Sequence, residues 1–292
     1  MMKKNRLKIF ISGSNGFIGK HLKKNLFKNY ILVTPNKKRL NLNKKKNLKE
    51  YLKKHDPDII INLAASTKFK SNQINEKQNQ IINTLNLNKN LVNSINPKCR
   101  LIIFFGSIEE YGSISTPFKE NQQVLPLTYY GKYKYKSYLY IKKFLKRKKL
   151  NYIWLRPSLT YGYGDNNERY LGYIINSIKK NKTFIVKPGE QIRDFIHVDD
   201  LCKALRLIIK NYKKKFNCIL NISAQNYIKI RLIPSIIENI IQKKIKYVFE
   251  KTDKKEINLC NSNLKLKKIF PNLKFMSFEK GLIKTLKDES IL

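Results

Sequence analysis

The segment from Leu7 to Lys28 restricts the fold more than any other part of this chain. Leu7-Lys-Ile-Phe-Ile11 is an apolar run of strand length, Gly13-Ser-Asn-Gly16-Phe-Ile-Gly19 follows it, and a helical pattern runs from His21 to Lys28. Strand, glycine turn and helix in that order form the cradle of a dinucleotide. Gly13 allows the tight turn, Gly16 lets backbone N–H groups approach a pyrophosphate, and Gly19 lets the helix pack closely on the strand. The helix amino terminus adds a favourable partial charge. Gly13, Asn15, Gly16, Phe17, Ile18 and Gly19 are therefore the candidate phosphate-facing residues.

The alternation continues downstream. Apolar runs at Tyr30 to Val33, Ile59 to Leu63, Leu101 to Phe105 and Tyr152 to Leu155 are separated by helix-length polar stretches, the pattern of strands buried on both faces of a parallel sheet. Helices are expected at about 16–28, 45–55, 74–95 and 128–149. The fold class is α/β, a doubly wound Rossmann sheet with a smaller carboxy-terminal α/β lobe. With 292 residues, 42% of them hydrophobic, the chain can bury a substantial core, and no Pro/Gly/Ser-rich linker divides it.

Tyr130-Gly-Lys-Tyr-Lys134 carries the chemistry. Four residues apart on a helix, Tyr130 and Lys134 share one face. A phenol titrates near pH ~10, and an adjacent ammonium lowers that by ~1–3 units, which makes the tyrosine a usable acid or base. Spacing alone is weak evidence in a chain with 17 Tyr, and Tyr138 with Lys142 repeats it. The company of Ser107 distinguishes Tyr130, because Ser107 lies just past the fourth expected strand, on the sheet edge where open α/β folds bind ligands.

Taken together these residues resemble the extended short-chain dehydrogenase/reductases that modify nucleotide-activated sugars, the NAD-dependent epimerase/dehydratase family. Gly13 to Gly19 is similar to its cofactor loop. Asn62-Leu63-Ala64-Ala65 is similar to the strand end beside the cofactor, and Ser107, Tyr130 and Lys134 to its catalytic triad. Arg156-Pro-Ser-Leu-Thr-Tyr-Gly162 resembles the entry to the substrate lobe. Arg193-Asp-Phe-Ile-His-Val-Asp-Asp200 resembles a signature whose arginine holds the nucleotide diphosphate, and Glu279-Lys-Gly281-Leu with Thr285 resembles a closing helix. The resemblance implies a dinucleotide-binding domain over 1–163, rejoined by 192–223, and a nucleotide-sugar lobe made mainly of 164–292. It also implies a homodimer packed through the helices near Asn75 to Ile95 and Tyr130 to Leu145.

By that resemblance the reaction is hydride transfer at a sugar carbon. Tyr130 passes a proton to or from the hydroxyl oxygen, Ser107 hydrogen-bonds the same oxygen, and Lys134 depresses the tyrosine pKa and holds the nicotinamide ribose. Dehydratases of the family carry Thr-Asp-Glu where this chain has Ser107-Ile108-Glu109. Ile108 donates no proton, which disfavours dehydration, while Glu109 keeps half of that machinery. Gly106-Ser-Ile-Glu-Glu-Tyr-Gly112 is most similar to 4-keto-6-deoxyhexose reductases. The functional expectation is reduction at C4 of a 4-keto (6-deoxy)hexose nucleotide, with a 4-epimerase holding NAD tightly as the alternative. On residue type alone, Glu109 and Glu110 also suit a solvated turn.

The cofactor expectation follows from the second strand. NAD sites of this fold usually place an acid after it, yet Val33-Thr-Pro-Asn-Lys37-Lys38-Arg39 has none. Lys37, Lys38 and Arg39 would receive a 2′-phosphate, so NADP(H) is favoured over NAD(H). Two departures stand out: Asn41-Leu-Asn43 where relatives carry an acid, and Lys254 and Lys255 where relatives place a diphosphate-binding arginine.

A formal net charge of +41 raises nucleic acid as a partner. The lysines are spread from Lys3 to Lys287 and not gathered in one arm, so no specific nucleic-acid role is expected. A non-catalytic NADP sensor is disfavoured because Tyr130 and Lys134 are both present. Cys99, Cys202, Cys218 and Cys260 lack metal spacing, His197 is expected to be structural, and no metal site is proposed. The apolar stretch near the amino terminus ends at Ser12-Gly13, too short for a signal peptide, and no run reaches the ~20 residues that span a bilayer. The expected location is the cytoplasm.

Overall fold

The protein is described by a computed structural model over residues 6–65, 74–186, 189–250 and 257–292. In chain order its elements are β1 (Lys8–Ser12), α1 (Phe17–Leu26), β2 (Ile31–Val33), α2 (Lys45–His55), β3 (Ile59–Asn62), α3 (Ile74–Ser94), β4 (Leu101–Phe105), a 3₁₀ turn (Ile108–Glu110) and α4 (Tyr129–Arg147). There follow β5 (Tyr152–Pro157), β6 (Leu159–Tyr161), α5 (Tyr170–Lys179), β7 (Phe184–Val186), β8 (Ile192–His197), α6 (Val198–Lys210), β9 (Cys218–Ile222) and β10 (Asn226–Lys229). A second 3₁₀ turn (Ile230–Leu232), α7 (Ile233–Ile241), β11 (Tyr247–Phe249), α8 (Leu264–Ile269) and α9 (Phe278–Asp288) complete the chain. The expected strands and helices are present with ends moved by a few residues.

The chain divides into two compact units. The first takes Met1–Tyr111, Leu125–Arg156 and Leu205–Leu220, and the second takes Gly112–Val124, Pro157–Ala204 and Asn221–Leu292. The division expected from sequence, 1–163 with 192–223 against the rest of 164–292, runs elsewhere. Residues 157–163 and 192–204 fall in the second unit, where β8 pairs with both β6 and β10, and 205–220 is the part of the returning stretch found in the first.

The first unit is built on a six-stranded sheet of order β2-β1-β3-β4-β5-β9. β1 pairs in parallel with β2 and β3, β3 with β4, and β4 with β5. Ile9, Ile11, Ile59, Ile61 and Ile103 are fully buried, as are Phe10 and Ile102 on the alternate positions, so these strands are covered on both faces and carry no polar side. On one face Leu48 and Leu52 of α2, Leu91 and Val92 of α3, and Ile141 and Leu145 of α4 close over Phe10, Ile60, Ile102, Phe104 and Trp154. The strand order turns at β1, with β2 on one side and β3 on the other. In such sheets the ligand crevice opens at the carboxyl ends of the strands flanking that point, here just beyond Ser12 and Asn62.

The second unit holds a three-stranded sheet of order β10-β8-β6 and a two-stranded β11-β7 pair. Its core gathers Ile174 of α5, Phe184, Phe195, Ile233 and Ile237 of α7, and Phe278, Leu282 and Leu286 of α9. Gly281 of α9 lies against the Tyr161 ring so closely that a Cβ there would collide with the phenol oxygen, and Thr285 Oγ1 donates back to Gly281 O at 2.9 Å.

Candidate active site

The glycine turn after β1 is built by close approach. Gly13 has φ +68, and a Cβ on it would lie 2.8 Å from Ala64 N and Leu63 C, so a side chain is excluded by both conformation and space. A Cβ on Gly19 would lie 2.5 Å from Gly13 O and 2.7 Å from Ser14 Cα, so only glycine lets the first turn of α1 rest on the loop. Gly16 is the N-cap of α1 and provides no side-chain cap, which leaves the helix amino terminus open to an anion. Ser14 Oγ is buried without a hydrogen-bond partner among the described residues. Asn15 is exposed and accepts from Lys23 Nζ at 3.1 Å, while Phe17 and Ile18 are half-buried at the start of α1.

Behind the turn a buried chain ties the strand ends together. Ser12 Oγ donates to Asn62 Oδ1 at 2.5 Å, and Asn62 Nδ2 donates to Asn88 Oδ1 of α3 at 2.7 Å. Leu63, Ala64 and Ala65 continue from this anchor, half-buried, past the carboxyl end of β3. Beyond β2, Lys37, Lys38 and Arg39 form an exposed turn held by Asn36 Oδ1, which accepts from Arg39 N at 2.9 Å.

The second cluster forms where β4 ends. Ser107 caps the 3₁₀ turn: its hydroxyl accepts from Glu109 N at 3.2 Å, and its own N–H donates to Glu110 Oε1 at 2.8 Å. Helix α4 arrives beside this turn. Thr128 caps it by accepting from Gly131 N at 2.9 Å and donates its hydroxyl proton to Glu109 Oε2 at 2.7 Å. A Cβ on Gly131 would collide with Glu109 O, so the missing side chain next to Tyr130 is what lets the two elements meet. Lys134 Nζ then reaches Phe105 O at 2.7 Å and lies 5.6 Å from the centre of the Tyr130 ring. Ser107, Glu109, Tyr130 and Lys134 are thereby gathered in one place.

Lys134 is 6% exposed, in the helical stripe with Gly131, Tyr138, Ile141 and Leu145. Burial lowers its pKa to about 8, against an upward pull from Glu110. The competing pair keeps the same contact, Lys142 Nζ lying 5.8 Å from the centre of the Tyr138 ring, but Lys142 is exposed, and burial pushes the Tyr138 phenol up to about 12. Tyr133, stacked edge-on against Tyr130, is likewise pushed up to about 12 by burial.

Glu110 corrects the solvated-turn alternative. It is fully buried, accepting from Trp154 Nε1 at 3.0 and 3.1 Å and from Arg156 Nε at 2.8 Å as well as from Ser107 N. Glu109 is half-buried. Trp154, Gly131 and Ser12 were not singled out by sequence reasoning; only the Tyr-Gly dipeptide and the Asn62 motif pointed at their neighbourhood.

In the second unit Arg193 Nη1 donates to Ile257 O at 2.6 Å and Ile192 O at 3.3 Å. Beside it Asp194, fully buried, receives hydrogen bonds at Oδ2 from Ser158, from Ser223 Oγ at 2.6 Å and from Asn261 N at 3.3 Å, and burial raises its pKa to about 7. His197 is buried, its Nδ1 accepting from Asp199 N at 3.2 Å, as suits a structural imidazole. Lys254 and Lys255 lie outside the described residues. Among the described residues no cluster of His, Cys, Asp or Glu could hold a metal ion, and no helix is long and apolar enough to cross a membrane.

The sequence model of the NAD dependent epimerase/dehydratase family matches residues 9–223. The chain belongs to that family. Among its relatives in it, the ADP-L-glycero-D-manno-heptose-6-epimerase of Brachyspira hyodysenteriae is 28% identical over 244 residues, 72% of this chain and 75% of that one. The fold is shared with the UDP-glucuronic acid 4-epimerase of Bacillus cereus, solved with UDP-glucuronic acid and NAD (TM-score 0.85, 22% identity, 97% of this chain and 99% of that one). It is shared equally with the GDP-mannoheptose C4 reductase of Campylobacter jejuni with NADP bound (TM-score 0.82, 19% identity, 98% of each chain). As an epimerase/dehydratase-family protein the chain is an NAD(P)-dependent enzyme of the extended short-chain dehydrogenase/reductase class, whose members modify nucleotide sugars.

Proposed function

We propose that this enzyme reduces the C4 ketone of a 4-keto (6-deoxy)hexose nucleotide, with NADPH as the preferred reductant. The observation that carries the reading is Lys134: a buried ammonium on an otherwise uncharged helical stripe, bonded to the end of β4 and lying against Tyr130. The loop fits a dinucleotide, since Gly13, Gly16 and Gly19 leave the space, α1 leaves its amino terminus uncapped, and Ser14 Oγ waits for a partner. The bound dinucleotide supplies the hydride. Tyr130 donates the proton to the carbonyl oxygen at C4 as general acid, and the Ser107 hydroxyl hydrogen-bonds that same oxygen. The Lys134 charge favours the phenolate that remains, and its side chain holds the nicotinamide ribose. Glu109 borders the same place, Leu63, Ala64 and Ala65 pass beside the cofactor, and Arg193 binds the substrate diphosphate.

Reduction is preferred over dehydration because Ile108, buried at the position of the dehydratase acid, donates no proton. NADPH is preferred because Lys37, Lys38 and Arg39 stand exposed after β2 with no carboxylate among them. The second reading, a 4-epimerase with tightly held NAD, uses the same Ser107, Tyr130 and Lys134; the relative named above is also an epimerase, of a heptose at position 6 and not 4. Incubation with GDP-, CDP-, dTDP- and UDP-linked 4-keto sugars separates the two. The reductase consumes one NADPH per keto sugar lost, whereas an epimerase interconverts non-keto sugars and leaves added NADPH untouched; the latter result removes the reductase reading. A homodimer is part of the proposal, with Ile82 of α3 and Leu139 and Tyr140 of α4 as exposed apolar side chains for the contact.

A further inference from the structure

Glu110 is a buried carboxylate that the reaction above does not use, and it sits under the residues that the reaction does use. It accepts from Ser107 N, Trp154 Nε1 and Arg156 Nε, all within 3.1 Å. Gly106 makes the room, because a Cβ there would collide with both Glu110 Oε1 and Trp154 Nε1. Every one of these bonds is received and none is given, which is the pattern of an ionised carboxylate. One residue before Gly106, Phe105 O accepts the Lys134 ammonium; one residue after it, the Ser107 hydroxyl caps the turn. The carboxylate therefore holds Ser107 N and packs against Gly106, in a three-residue segment whose two ends serve Lys134 and the reacting oxygen.

We propose that Glu110 is a positioning residue of this enzyme: its carboxylate fixes the Phe105–Ser107 segment and supplies the counter-charge that keeps the buried Lys134 ammonium protonated. The inference rests on the assignment of Lys134 and Ser107 to the reaction. A buried ion pair such as Glu110–Arg156 is a weak stabiliser, since desolvating both charges offsets their attraction, so its place beside a second buried cation is the informative fact. The charged and titratable groups around it are Arg156 from β5, Lys134, Tyr133 and Tyr138 from α4, and Tyr111 from the turn. Burial pushes Glu110 upward and Arg156 pulls it back. Burial drives Lys134 down to about 8 while Glu110 opposes that drift. Without the anion, Arg156 and Lys134, 1% and 6% exposed, would each keep a buried positive charge with no carboxylate to offset it.

The test is a carbon-13 titration of the Lys134 Cε resonance, assigned by its loss in Lys134→Arg, alongside the pH profile of NADPH oxidation. In wild-type enzyme the resonance should titrate near 8, and activity should fall above it. In Glu110→Gln the midpoint should drop by about one unit or more, the alkaline limb should move with it, and kcat at neutral pH should fall about tenfold. In Glu110→Asp, which keeps the charge one methylene shorter, the midpoint and the limb should return toward wild type. A folded Glu110→Gln with wild-type midpoint and profile overturns the proposal. So does failure of both variants to fold, which would assign Glu110 to the architecture alone. If the midpoint moves but Tyr130→Phe remains fully active, the electrostatic role stands and the assigned reaction falls.

Discussion

Lys134 occupies a position where the helical period calls for an apolar side chain, and that mismatch is the sequence's plainest mark of function. The spacing to Tyr130 was readable from the chain; the distinction from the Tyr138–Lys142 pair was not, because it depends on which lysine the fold buries. Replacing Tyr130 with Phe removes one hydroxyl from a half-buried ring. Turnover should fall ~10²–10⁴-fold, with an unchanged thermal melt by circular dichroism; a variant retaining most of its NADPH oxidation rate would contradict the assigned role. Asp194 makes a different prediction. Its folded pKa, about 7, lies above the ~3.9 of an unfolded aspartate, so the native state holds a proton that the unfolded chain releases. Its contribution to stability is full below pH ~4 and is lost as pH rises through 7. Asp194→Asn cannot ionise, so the wild-type melting temperature should decline relative to the variant between pH 4 and 7. A constant difference across that range would show that Asp194 titrates normally.

Helix α4 docks on the Ser107 turn through the absence of a side chain. Gly131→Ala would push Tyr130 away from Ser107 by colliding with Glu109 O, and the helix gains propensity from the change. The expected result is a stable protein with kcat reduced by at least tenfold and little change in the KM for NADPH, measured by steady-state kinetics. The turn after β2 tests the cofactor assignment. Lys38→Ser with Arg39→Ser should raise the KM for NADPH about tenfold, the loss of roughly one charge-assisted hydrogen bond, and leave that for NADH nearly unchanged. Equal effects on both cofactors would remove these side chains from 2′-phosphate recognition. The strands were legible because runs such as Ile59-Ile-Ile61 and Leu101 to Phe105 are apolar on both faces, and the helices because Leu48 and Leu52 or Ile141 and Leu145 recur at helical spacing. Glu110 was not legible, since its partners Trp154 and Arg156 stand 44 and 46 residues away and nothing local to the Ser107 turn announces a buried carboxylate.

Across the whole molecule the charge of +41 is distributed over its length, and like charges oppose compaction. Raising sodium chloride from ~0.01 to ~0.15 M shortens the screening length from ~30 to ~8 Å, so the melting temperature should rise over that range in differential scanning fluorimetry. A flat or falling curve would mean that the lysines are already locally compensated. The linear order of residues was enough to establish the parallel α/β sheet, the glycine loop and the Tyr130–Lys134 pair, because each depends on short-range periodicity and on residue types with few other uses. Long-range burial decided the rest: which lysine loses its water, which of two adjacent glutamates becomes an internal anion, and where the chain divides between units. Desolvation depends on atoms supplied by distant segments, and only folding brings those segments together.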